Sequence, residues 1–347
     1  MKTGHTQRHF IISYPSIVGN YFLEDTISSG GNSIVIRAKR ISTGELFAAK
    51  VVSRNYLVEN GLLMNFEQEI RVHQTLDHPN IVKLYEIIYT EELIVLIQEF
   101  CLKGDLLDFV QNHGICPSSF ARRMFYQLLC ALSYIHSRNI AHLDLKLENI
   151  LLDDDMNLKL TDFGCCQTNV QNTFSKTFGT LLYTPPEILL YIEYKPEKAD
   201  VWSAGVILYT LVHGEFPWKK GSENAIRKQI LSKNYVLPSS IEAEASDIIR
   251  MCIQYEPDSR PTIEELLNHH WLIYERKREI EKIEKQRKSN FNVILRVKGI
   301  SMVDVRPTMR QPKAKIHPTL SGTPTRKNPA NPVQVGTNKS VILAMIV

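Results

Sequence analysis

Two short polar runs carry the residues best suited to chemistry. Asp144, Lys146 and Asn149 fall within six residues of one another, and Asp162 follows a short distance downstream. Residues 150–160, which lie between the runs, read as two short apolar strands joined by an acidic turn, the pattern of a hairpin. Such a hairpin brings Asn149 and Asp162 together at its open end, with Asp144 and Lys146 in the loop beside them.

These residue types at this spacing suit the transfer of a phosphoryl group. An amide oxygen and a carboxylate that face each other are ligands that Mg²⁺ accepts alongside substrate phosphates. Asp144, on the other side of the loop, is free to take a proton from an attacking hydroxyl group. Positioning and charge neutralisation provide most of the catalysis in such reactions. The alternative interpretation is that the aspartates and the asparagine only close a turn.

The two runs together resemble the catalytic and metal-binding loops of the eukaryotic protein kinases. The first reads HLDLKLEN from His142 to Asn149, and the second reads DFG from Asp162. The resemblance covers residues 21–272 and is closest to the Ser/Thr kinases of the calmodulin-dependent and AMP-activated (CAMK) group. It implies an α+β, two-lobed fold, with a small β-rich N-lobe that has one helix and a larger, mainly helical C-lobe. It also implies two cofactors, ATP and Mg²⁺.

The resemblance implies five catalytic residues. Asp144 and Lys146 come from the first run, and Lys50 matches the strand lysine that pairs with the α- and β-phosphates. Glu69, nine residues before His78, matches the helix carboxylate that holds this lysine, although a lone glutamate is more often a solvated helix charge. Thr180 matches a threonine that bridges the catalytic aspartate and lysine.

Nucleotide binding is also predicted from the resemblance. The residues that it assigns to this role are Ile27, Gly30, Val35, Ala48, Lys50, Glu99, Cys101, Asp105, Asn149 and Asp162, and the last two are its metal ligands. The Glu99 carbonyl and the Cys101 N–H would bond the adenine edge, and Asp105 would meet the ribose or the substrate. Of the three glycines in the family's phosphate loop only Gly30 is present, and serine replaces the others. Serine fits such positions wherever φ stays negative.

Three further expectations concern the framework of the C-lobe and the helix that carries Glu69. Glu187 is expected to pair with Arg260 and lock the large lobe. The helix over 199–213 is apolar nearly all round, so Asp200 within it is buried and needs hydrogen-bonding partners. His73, one turn beyond Glu69, is expected to be a packing histidine with its hydrogen bond satisfied.

The predicted domain organisation has four parts. They are an N-terminal extension (1–20), a kinase domain (21–272), a charged helix (273–288) and a basic tail that we expect to be disordered (289–347). The kinase domain divides into an N-lobe (21–98), a hinge (99–104) and a C-lobe (105–272).

The net charge of +4 hides an asymmetry along the chain. Residues 289–347 carry nine lysines and arginines against a single acid, whereas the remainder carries 32 basic and 36 acidic residues. Besides protein substrates, we therefore expect any acidic partner to bind the tail, and we do not expect a nucleic-acid partner.

No apolar run approaches the length of a membrane span. The six cysteines have no metal-like spacing, which favours reduced thiols and a cytoplasmic location, with the nucleus as the alternative.

The function predicted from these features is a protein serine/threonine kinase that uses ATP. Lys146, two residues after Asp144, favours serine and threonine as acceptors, and Glu148 and Asp105 match positions that meet arginines in basophilic relatives. The alternative is a pseudokinase that acts as a nucleotide-binding scaffold, which the reduced glycine loop favours. A small-molecule phosphotransferase would have no need of the Glu187–Arg260 pair.

The mode of activation is predicted from two missing charges. Leu143 stands where many relatives place an arginine that captures a phosphate on the activation loop. Lys176 occupies the usual phosphorylation site, so the donor and the acceptor of that contact are both absent. We therefore expect basal activity without activation-loop phosphorylation.

Overall fold

The computed structural model describes residues 15–30, 33–168, 180–232, 235–282 and 284–285. The described residues up to Arg278 belong to one compact unit. Its strands and helices separate into a sheet-rich N-terminal lobe and a mainly helical C-terminal lobe, which confirms the predicted two-lobed α+β fold.

The N-lobe is built on a six-stranded antiparallel sheet. Its strands are β1 (Ser16–Val18), β2 (Tyr21–Ser29), β3 (Ile34–Arg40), β4 (Leu46–Ser53), β5 (Leu84–Tyr89) and β6 (Leu93–Glu99), in the order β1-β2-β3-β4-β6-β5. Alternation along β4 sets its two faces, because successive side chains of a strand point to opposite sides. Phe47, Ala49 and Val51 lie in the core of the sheet, whereas Ala48 and Lys50 are half-buried on the other face.

Two helices pack against this sheet. Helix α2 (Leu63–Gln74) carries Glu69 and buries Phe66 and Ile70 in a cluster with residues of β4 and β6. The second helix, α1 (Arg54–Glu59), was not predicted from the sequence. It begins where the Ser53 hydroxyl accepts a hydrogen bond from the Tyr56 N–H at 3.2 Å, which satisfies one of the amide groups exposed at a helix start.

The C-lobe contains seven helices among the residues that the structure describes. They are α3 (Leu106–His113), α4 (Ser118–His136), α5 (Pro186–Leu189), α6 (Pro196–His213), α7 (Glu223–Leu231), α8 (Ala243–Cys252) and α9 (Ile263–Leu267). Helix α4 forms from the predicted apolar stripe and buries Phe125, Leu128 and Leu132 completely. Each such side chain stabilises the lobe by about 1.5–3 kcal/mol relative to an exposed one.

Helix α6 is central to the lobe, as its nearly uniform apolar sequence predicts, and is buried from Ala199 to Leu211. Gly205 allows a close approach to α8, since a Cβ at this position would lie 2.5 Å from the Cβ of Cys252. The helix ends at Gly214, whose φ of +82° is a conformation that glycine adopts without strain.

Four short strands flank the catalytic loop and the Asp162 run. They are β7 (Ile140–Ala141), β8 (Ile150–Leu152), β9 (Leu158–Leu160) and β10 (Gln167–Thr168), paired as β8 with β9 and β7 with β10. The β8–β9 pair is the predicted hairpin. The Asp153 carboxylate closes its turn by accepting hydrogen bonds from the N–H groups of Asp155 and Asn157, at 3.0 and 2.7 Å.

Residues 273–282 and 284–285 are helical, within the segment predicted to be a charged helix. The N-terminal extension up to residue 14 and the basic tail lie outside the described residues. Within the described part of the chain, no helix is both long and apolar enough to cross a membrane. All six cysteines fall in that part, and none of them forms a disulfide.

Candidate active site

The ammonium group of Lys50 joins the two lobes. Its Nζ lies 2.6 Å from Glu69 Oε1 on α2 and 3.1 Å from Asp162 Oδ1 after β9. The side chains of Lys50 and Glu69 are only 15% and 8% exposed, so the expected pair is formed inside the protein and not as a solvated helix charge. The structure therefore brings together three residues that the sequence separates by 112 positions.

Lys50 and Asp162 stabilise each other's charge. Burial alone would lower the pKa of Lys50, but the carboxylates of Glu69 and Asp162 outweigh it and raise that pKa above its usual value. Lys50 in turn holds the pKa of Asp162 below its usual range. Lys50 is thus a fixed cation, and Asp162 is a fixed anion with its side chain 41% exposed toward the cleft.

The catalytic loop presents Asp144 between two donors. Lys146 Nζ lies 2.6 Å from Asp144 Oδ2, and the Asn149 amide nitrogen donates to the same oxygen at 3.1 Å and to the Asp144 carbonyl at 2.9 Å. Burial would lower the pKa of Lys146, but the hydrogen bond to Asp144 outweighs it and raises that pKa. The loop therefore keeps a carboxylate and an ammonium group in contact, and the amide nitrogen of Asn149 is committed to Asp144.

Asp200 on α6 fixes the backbone of this loop, and its buried carboxylate has the hydrogen-bonding partners that it requires. Its carboxylate accepts hydrogen bonds from the backbone N–H groups of His142, at 2.9 Å, and Leu143, at 2.8 Å. Leu143 adopts a φ of +62°, which is strained for a branched residue and costs about 1–3 kcal/mol. The two hydrogen bonds to a completely buried carboxylate keep the loop in this shape.

The β8–β9 hairpin places Asn149 and Asp162 together. Asn149 precedes β8 and Asp162 follows β9, and the Thr161 N–H donates to the Asn149 carbonyl at 3.0 Å. The His142 ring contacts the Thr161 carbonyl through Nε2 at 3.0 Å, which ties the catalytic loop to the second run. Asp162 has a φ of +66°, so this turn, like the catalytic loop, is held in a strained conformation.

The predicted nucleotide-binding residues of the N-lobe lie in register on one face. Val35 pairs with Lys50 across β3 and β4, and Val35, Ala48 and Lys50 are all half-buried. Ile27 on β2 is 48% exposed, and Gly30, directly after the strand, donates its N–H to the Ser33 carbonyl at 2.9 Å. Gly30 has no positive φ, so this position does not require glycine. Asn32, between Gly30 and Ser33, lies outside the described residues.

The hinge residues carry contacts that the sequence did not reveal. The Glu99 carboxylate binds Lys159 Nζ at 2.6 Å and accepts from the Lys83 N–H at 3.2 Å. Cys101 follows as a buried residue, and burial raises the pKa of its thiol to about 12. Asp105 starts α3, where its carboxylate accepts the Asp108 N–H at 2.9 Å. Asp105 therefore has a structural role as a helix cap, which the sequence did not predict.

Thr180 lies beside the catalytic loop without the predicted bridge. It lines a small cavity together with Asp144, and its carbonyl accepts hydrogen bonds from the Thr184 hydroxyl and the Tyr183 N–H. Among the residues that the structure describes, the Asp144 carboxylate is bonded by Lys146 and Asn149 and not by the Thr180 hydroxyl. The direct Lys146–Asp144 contact takes the place of the expected bridge.

The framework of the large lobe includes the expected Glu187–Arg260 pair. Both carboxylate oxygens of Glu187 meet the guanidinium group of Arg260, at 2.6 and 2.7 Å. Arg260 is fully buried and also donates to the carbonyls of Gln254, Lys198 and Tyr255. Every donor group of the guanidinium is thereby used in holding α5, α6 and the segment after α8 together.

His73 is a packing residue with its hydrogen bond satisfied, as the sequence suggests. It is 2% exposed, its Nε2 lies 2.7 Å from the Val82 carbonyl, and burial lowers its pKa. The Phe163 ring lies 5.2 Å from the ring of His73 and 5.2 Å from that of His142. His73 therefore supports the residue that follows Asp162.

Two residues that position the site were not predicted from the sequence. His136 at the end of α4 contacts Asp200 Oδ2 through Nε2 at 2.8 Å. The Tyr183 hydroxyl accepts the Leu147 N–H at 3.2 Å and donates to Glu148 Oε2 at 3.4 Å. A buried aspartate needs hydrogen-bonding partners, and this requirement of Asp200 was a signal that could have indicated His136. No comparable signal in the sequence pointed to Tyr183.

Comparison with known proteins agrees with this geometry. The family model described as "Protein kinase domain" matches residues 21–272. The chain belongs to the protein kinase family. Because the match spans both lobes, every residue of the site described above falls inside the kinase domain.

Two relatives place the domain within the family. The chain is 36% identical over 257 residues to "Probable serine/threonine-protein kinase MARK-A" of Dictyostelium discoideum, which is 74% of this chain and 24% of that protein. It is 34% identical over 253 residues to the human "NUAK family SNF1-like kinase 1", which is 73% of this chain and 38% of that protein. The chain thus matches well under half the length of either relative. Both support the resemblance to the CAMK group.

Proposed function

We propose that this chain is a protein serine/threonine kinase that transfers the γ-phosphate of ATP to serine or threonine residues of protein substrates. The observation that carries the proposal is the Lys50 ammonium group, bonded at once to Glu69 and to Asp162. A buried cation in contact with the carboxylate next to the catalytic loop is the arrangement that phosphoryl transfer needs. The names of the two relatives support serine and threonine as acceptors.

The proposed nucleotide site uses the half-buried face of the N-lobe sheet. Val35 and Ala48 would pack against the adenine, and the Glu99 carbonyl and Cys101 N–H would bond its edge. Lys50 would contact the α- and β-phosphates, while Glu69 keeps the long lysine side chain in one orientation. Such pre-orientation reduces the entropy lost when the substrate binds.

The residues at the cleft fit a magnesium ion. The Asn149 amide nitrogen donates to Asp144 twice, so its oxygen is directed away from these contacts. Asp162 uses Oδ1 toward Lys50 and retains a second carboxylate oxygen on a side chain that is 41% exposed. These two oxygens, together with phosphate oxygens and water, match the preference of Mg²⁺. When bound, Mg²⁺ would neutralise phosphate charge.

Asp144 is the proposed acceptor of the substrate proton. As the hydroxyl oxygen of serine or threonine forms a bond to the γ-phosphorus, the bond from that phosphorus to the β-phosphate oxygen breaks and ADP leaves. The hydroxyl proton passes to the Asp144 carboxylate. Lys146, 2.6 Å from Asp144 Oδ2, would place a positive charge beside the transferred group.

The second candidate function, a pseudokinase scaffold, has less support. Its sequence argument is the replacement of two loop glycines by serine, but Ser28, at one of these positions, pairs with Val35 within β2 and has no positive φ that would require glycine. The ion pair of Lys50 with Glu69 is formed, and Asp144 and Asn149 are in contact. A scaffold that only bound nucleotide would not require these catalytic-loop contacts.

The proposed substrates carry basic residues before the acceptor. Glu148 is half-buried, and the Tyr183 hydroxyl holds its carboxylate toward the catalytic loop. A fixed carboxylate forms bidentate contacts with arginine. Asp105 is a weaker contributor, because the start of α3 already engages its carboxylate.

Acidic partners of the basic tail and a cytoplasmic or nuclear location are also proposals. Removing residues 289–347 should leave peptide phosphorylation intact and abolish salt-sensitive binding to an acidic probe such as polyglutamate. Loss of peptide phosphorylation in the truncated chain would contradict the proposed division of roles. Fluorescence imaging of the tagged full chain would test the location.

Incubation of the purified full chain with labelled ATP, Mg²⁺ and a library of peptides with serine, threonine or tyrosine as the acceptor tests the function. The expected result is transfer to serine and threonine and none to tyrosine. Nucleotide binding without transfer to any peptide would favour the scaffold instead.

A further inference from the structure

A cavity of about 250 Å³ opens on the C-lobe, outside the proposed nucleotide site. It lies between the chain that follows α5 and the 3₁₀ turn Pro257–Ser259. The side chains of Leu190, Ile192 and Pro257 and the rings of Tyr194 and Tyr255 supply its apolar surface. At this volume the cavity lies below the usual range of small-molecule sites, which begins at about 300 Å³.

The apolar surface at the mouth is held in place. Leu190 is 41% exposed and Ile192 is 53% exposed. The Ile192 N–H donates to the Glu187 carbonyl at 3.0 Å, and the Tyr191 N–H donates to the Ile188 carbonyl at 3.2 Å. Tyr191 also adopts a φ of +56°, a strained conformation with which the backbone turns at this point. A rigid segment that keeps aliphatic side chains in solvent is suited to binding a partner.

The rim of the cavity is acidic. Among the residues that line the cavity, Glu256 and Asp258 are acidic and Lys195 is basic, with its Nζ 3.0 Å from Asp258 Oδ1. Since Lys195 pairs with Asp258, the exposed Glu256 carboxylate leaves an excess of negative charge beside the apolar surface. Complementary charge at a rim selects the partner and accelerates encounter. The occupant that fits is therefore an apolar side chain flanked by lysine or arginine.

The cavity adjoins the buried Glu187–Arg260 pair and the cluster beside the catalytic loop. Glu187 lines it and is the residue whose carboxylate pairs with Arg260. Tyr194, which also lines it, belongs to the same buried cluster as Leu143, the neighbour of Asp144. A segment bound in this cavity would thus lie on the same lobe as the proposed acceptor of the substrate proton.

We infer that this cavity is a docking site for a linear segment of the protein substrates, in which an aliphatic side chain is flanked by basic residues. The inference rests on the proposed kinase function. The aliphatic side chain fills the apolar surface as an anchor, and the basic residues meet the rim. A docked segment raises the local concentration of the acceptor residue at the catalytic loop.

The experiment compares two peptides with the full chain. One is a short serine acceptor peptide, and the other carries the same acceptor joined by a flexible glycine–serine linker to the segment GRRGLGRRG. Several linker lengths are used, because the gain is largest when the linker matches the span. The extended peptide is expected to have a KM lower by about tenfold or more at the best length, with kcat unchanged. A companion peptide with glycine in place of the leucine should lose most of this gain.

Two variants test the location. Ile192→Asp and Glu256→Lys should remove the gain and leave phosphorylation of the short peptide unchanged. Val236→Asp and Glu91→Lys, which alter exposed residues elsewhere, should retain it. Equal KM values for both peptides at every linker length would overturn the inference, as would a gain that survives in both cavity variants.

A direct binding measurement separates the docking site from the kinase function. Fluorescence anisotropy of labelled GRRGLGRRG should detect binding to the wild type and not to Ile192→Asp. If the labelled segment binds in this way but no peptide is phosphorylated, the result contradicts the proposed kinase function and supports the binding site. If the short peptide is phosphorylated but the labelled segment does not bind, the site fails alone. A dimer in light scattering that Ile192→Asp dissociates would assign this face to a second copy and overturn the inference.

Discussion

The guanidinium group of Arg260 meets both carboxylate oxygens of Glu187, at 2.6 and 2.7 Å, with the two side chains 0% and 4% exposed. The pair lies 73 residues apart in sequence and joins α5 to the segment before α9. Because neither charge reaches water, removing one would leave the other buried without compensation.

Arg260→Met should therefore destabilise the domain by about 3–5 kcal/mol. The matched control is Arg71→Met, which removes an exposed i,i+4 pair with Glu67 and should change stability by about 0.5 kcal/mol or less. Urea unfolding followed by circular dichroism measures both. A loss below about 1 kcal/mol for Arg260→Met would contradict the proposed role of the pair in locking the lobe.

Asp162→Ala should abolish phosphoryl transfer, because it removes a proposed Mg²⁺ ligand and one partner of Lys50. In the wild type, nucleotide affinity should rise when Mg²⁺ is added, and in the variant this increase should vanish. Titration calorimetry with and without Mg²⁺ gives the readout. Asp155→Ala, in the exposed turn of the same hairpin, is the control and should behave as wild type. A variant at 162 that kept the Mg²⁺ effect would refute the metal assignment.

Glu148→Gln should weaken the preference for arginine before the acceptor residue. The carboxylate that Tyr183 holds at 3.4 Å would lose its charge, and a charge-assisted hydrogen bond contributes about 1.5–3 kcal/mol, or roughly tenfold or more in KM. Kinetics with two peptides, one with arginine and one with glutamine in its place, isolate this effect. The variant should discriminate between them less than the wild type does. Undiminished discrimination would exclude Glu148 as the selecting residue.

Activity should not depend on phosphorylation of the activation loop. Leu143 is buried in an apolar cluster with Ile188 and Tyr194, so an aliphatic contact occupies the place where many relatives hold a phosphate through an arginine. The triple variant Thr173→Ala, Ser175→Ala, Thr177→Ala, whose positions lie outside the described residues, and phosphatase-treated enzyme are compared with untreated wild type. Both should stay within about tenfold in kcat, or about 1.4 kcal/mol in the barrier. A larger loss in either would disprove independence from phosphorylation.

The sequence predicted the parts of the fold that depend on local pattern. The apolar stripe of α4, the buried α6 and the β8–β9 hairpin follow from periodicity and turn residues, which act over a few positions. The contact of Lys50 with Glu69 was predicted only through the resemblance to kinases. Its contact with Asp162 was not predicted, since composition and spacing do not reveal which charges meet across 112 residues.

The details that escaped prediction depend on tertiary packing. Helix α1 is six residues long, too short for a periodic signal, and exists because Ser53 caps it and Leu57 is buried. Lys146 contacts Asp144 directly, where a threonine bridge was expected. Several donors lie near this carboxylate, and the sequence does not show which of them bonds to it. The exposed aliphatic residues around the C-lobe cavity read as ordinary loop residues until the fold brings them beside Pro257.

The most direct test is the turnover of Asp144→Asn against wild type, with serine peptide, ATP and Mg²⁺, and with Asp154→Asn in the nearby exposed turn as control. Asparagine keeps the shape of the side chain but cannot accept the substrate proton. We predict that kcat falls by about 10²–10⁴-fold while nucleotide affinity stays within about threefold, and that the control retains full activity. Near wild-type turnover in Asp144→Asn, or no transfer by the wild type, would contradict the assignment of this cleft as a protein kinase active site.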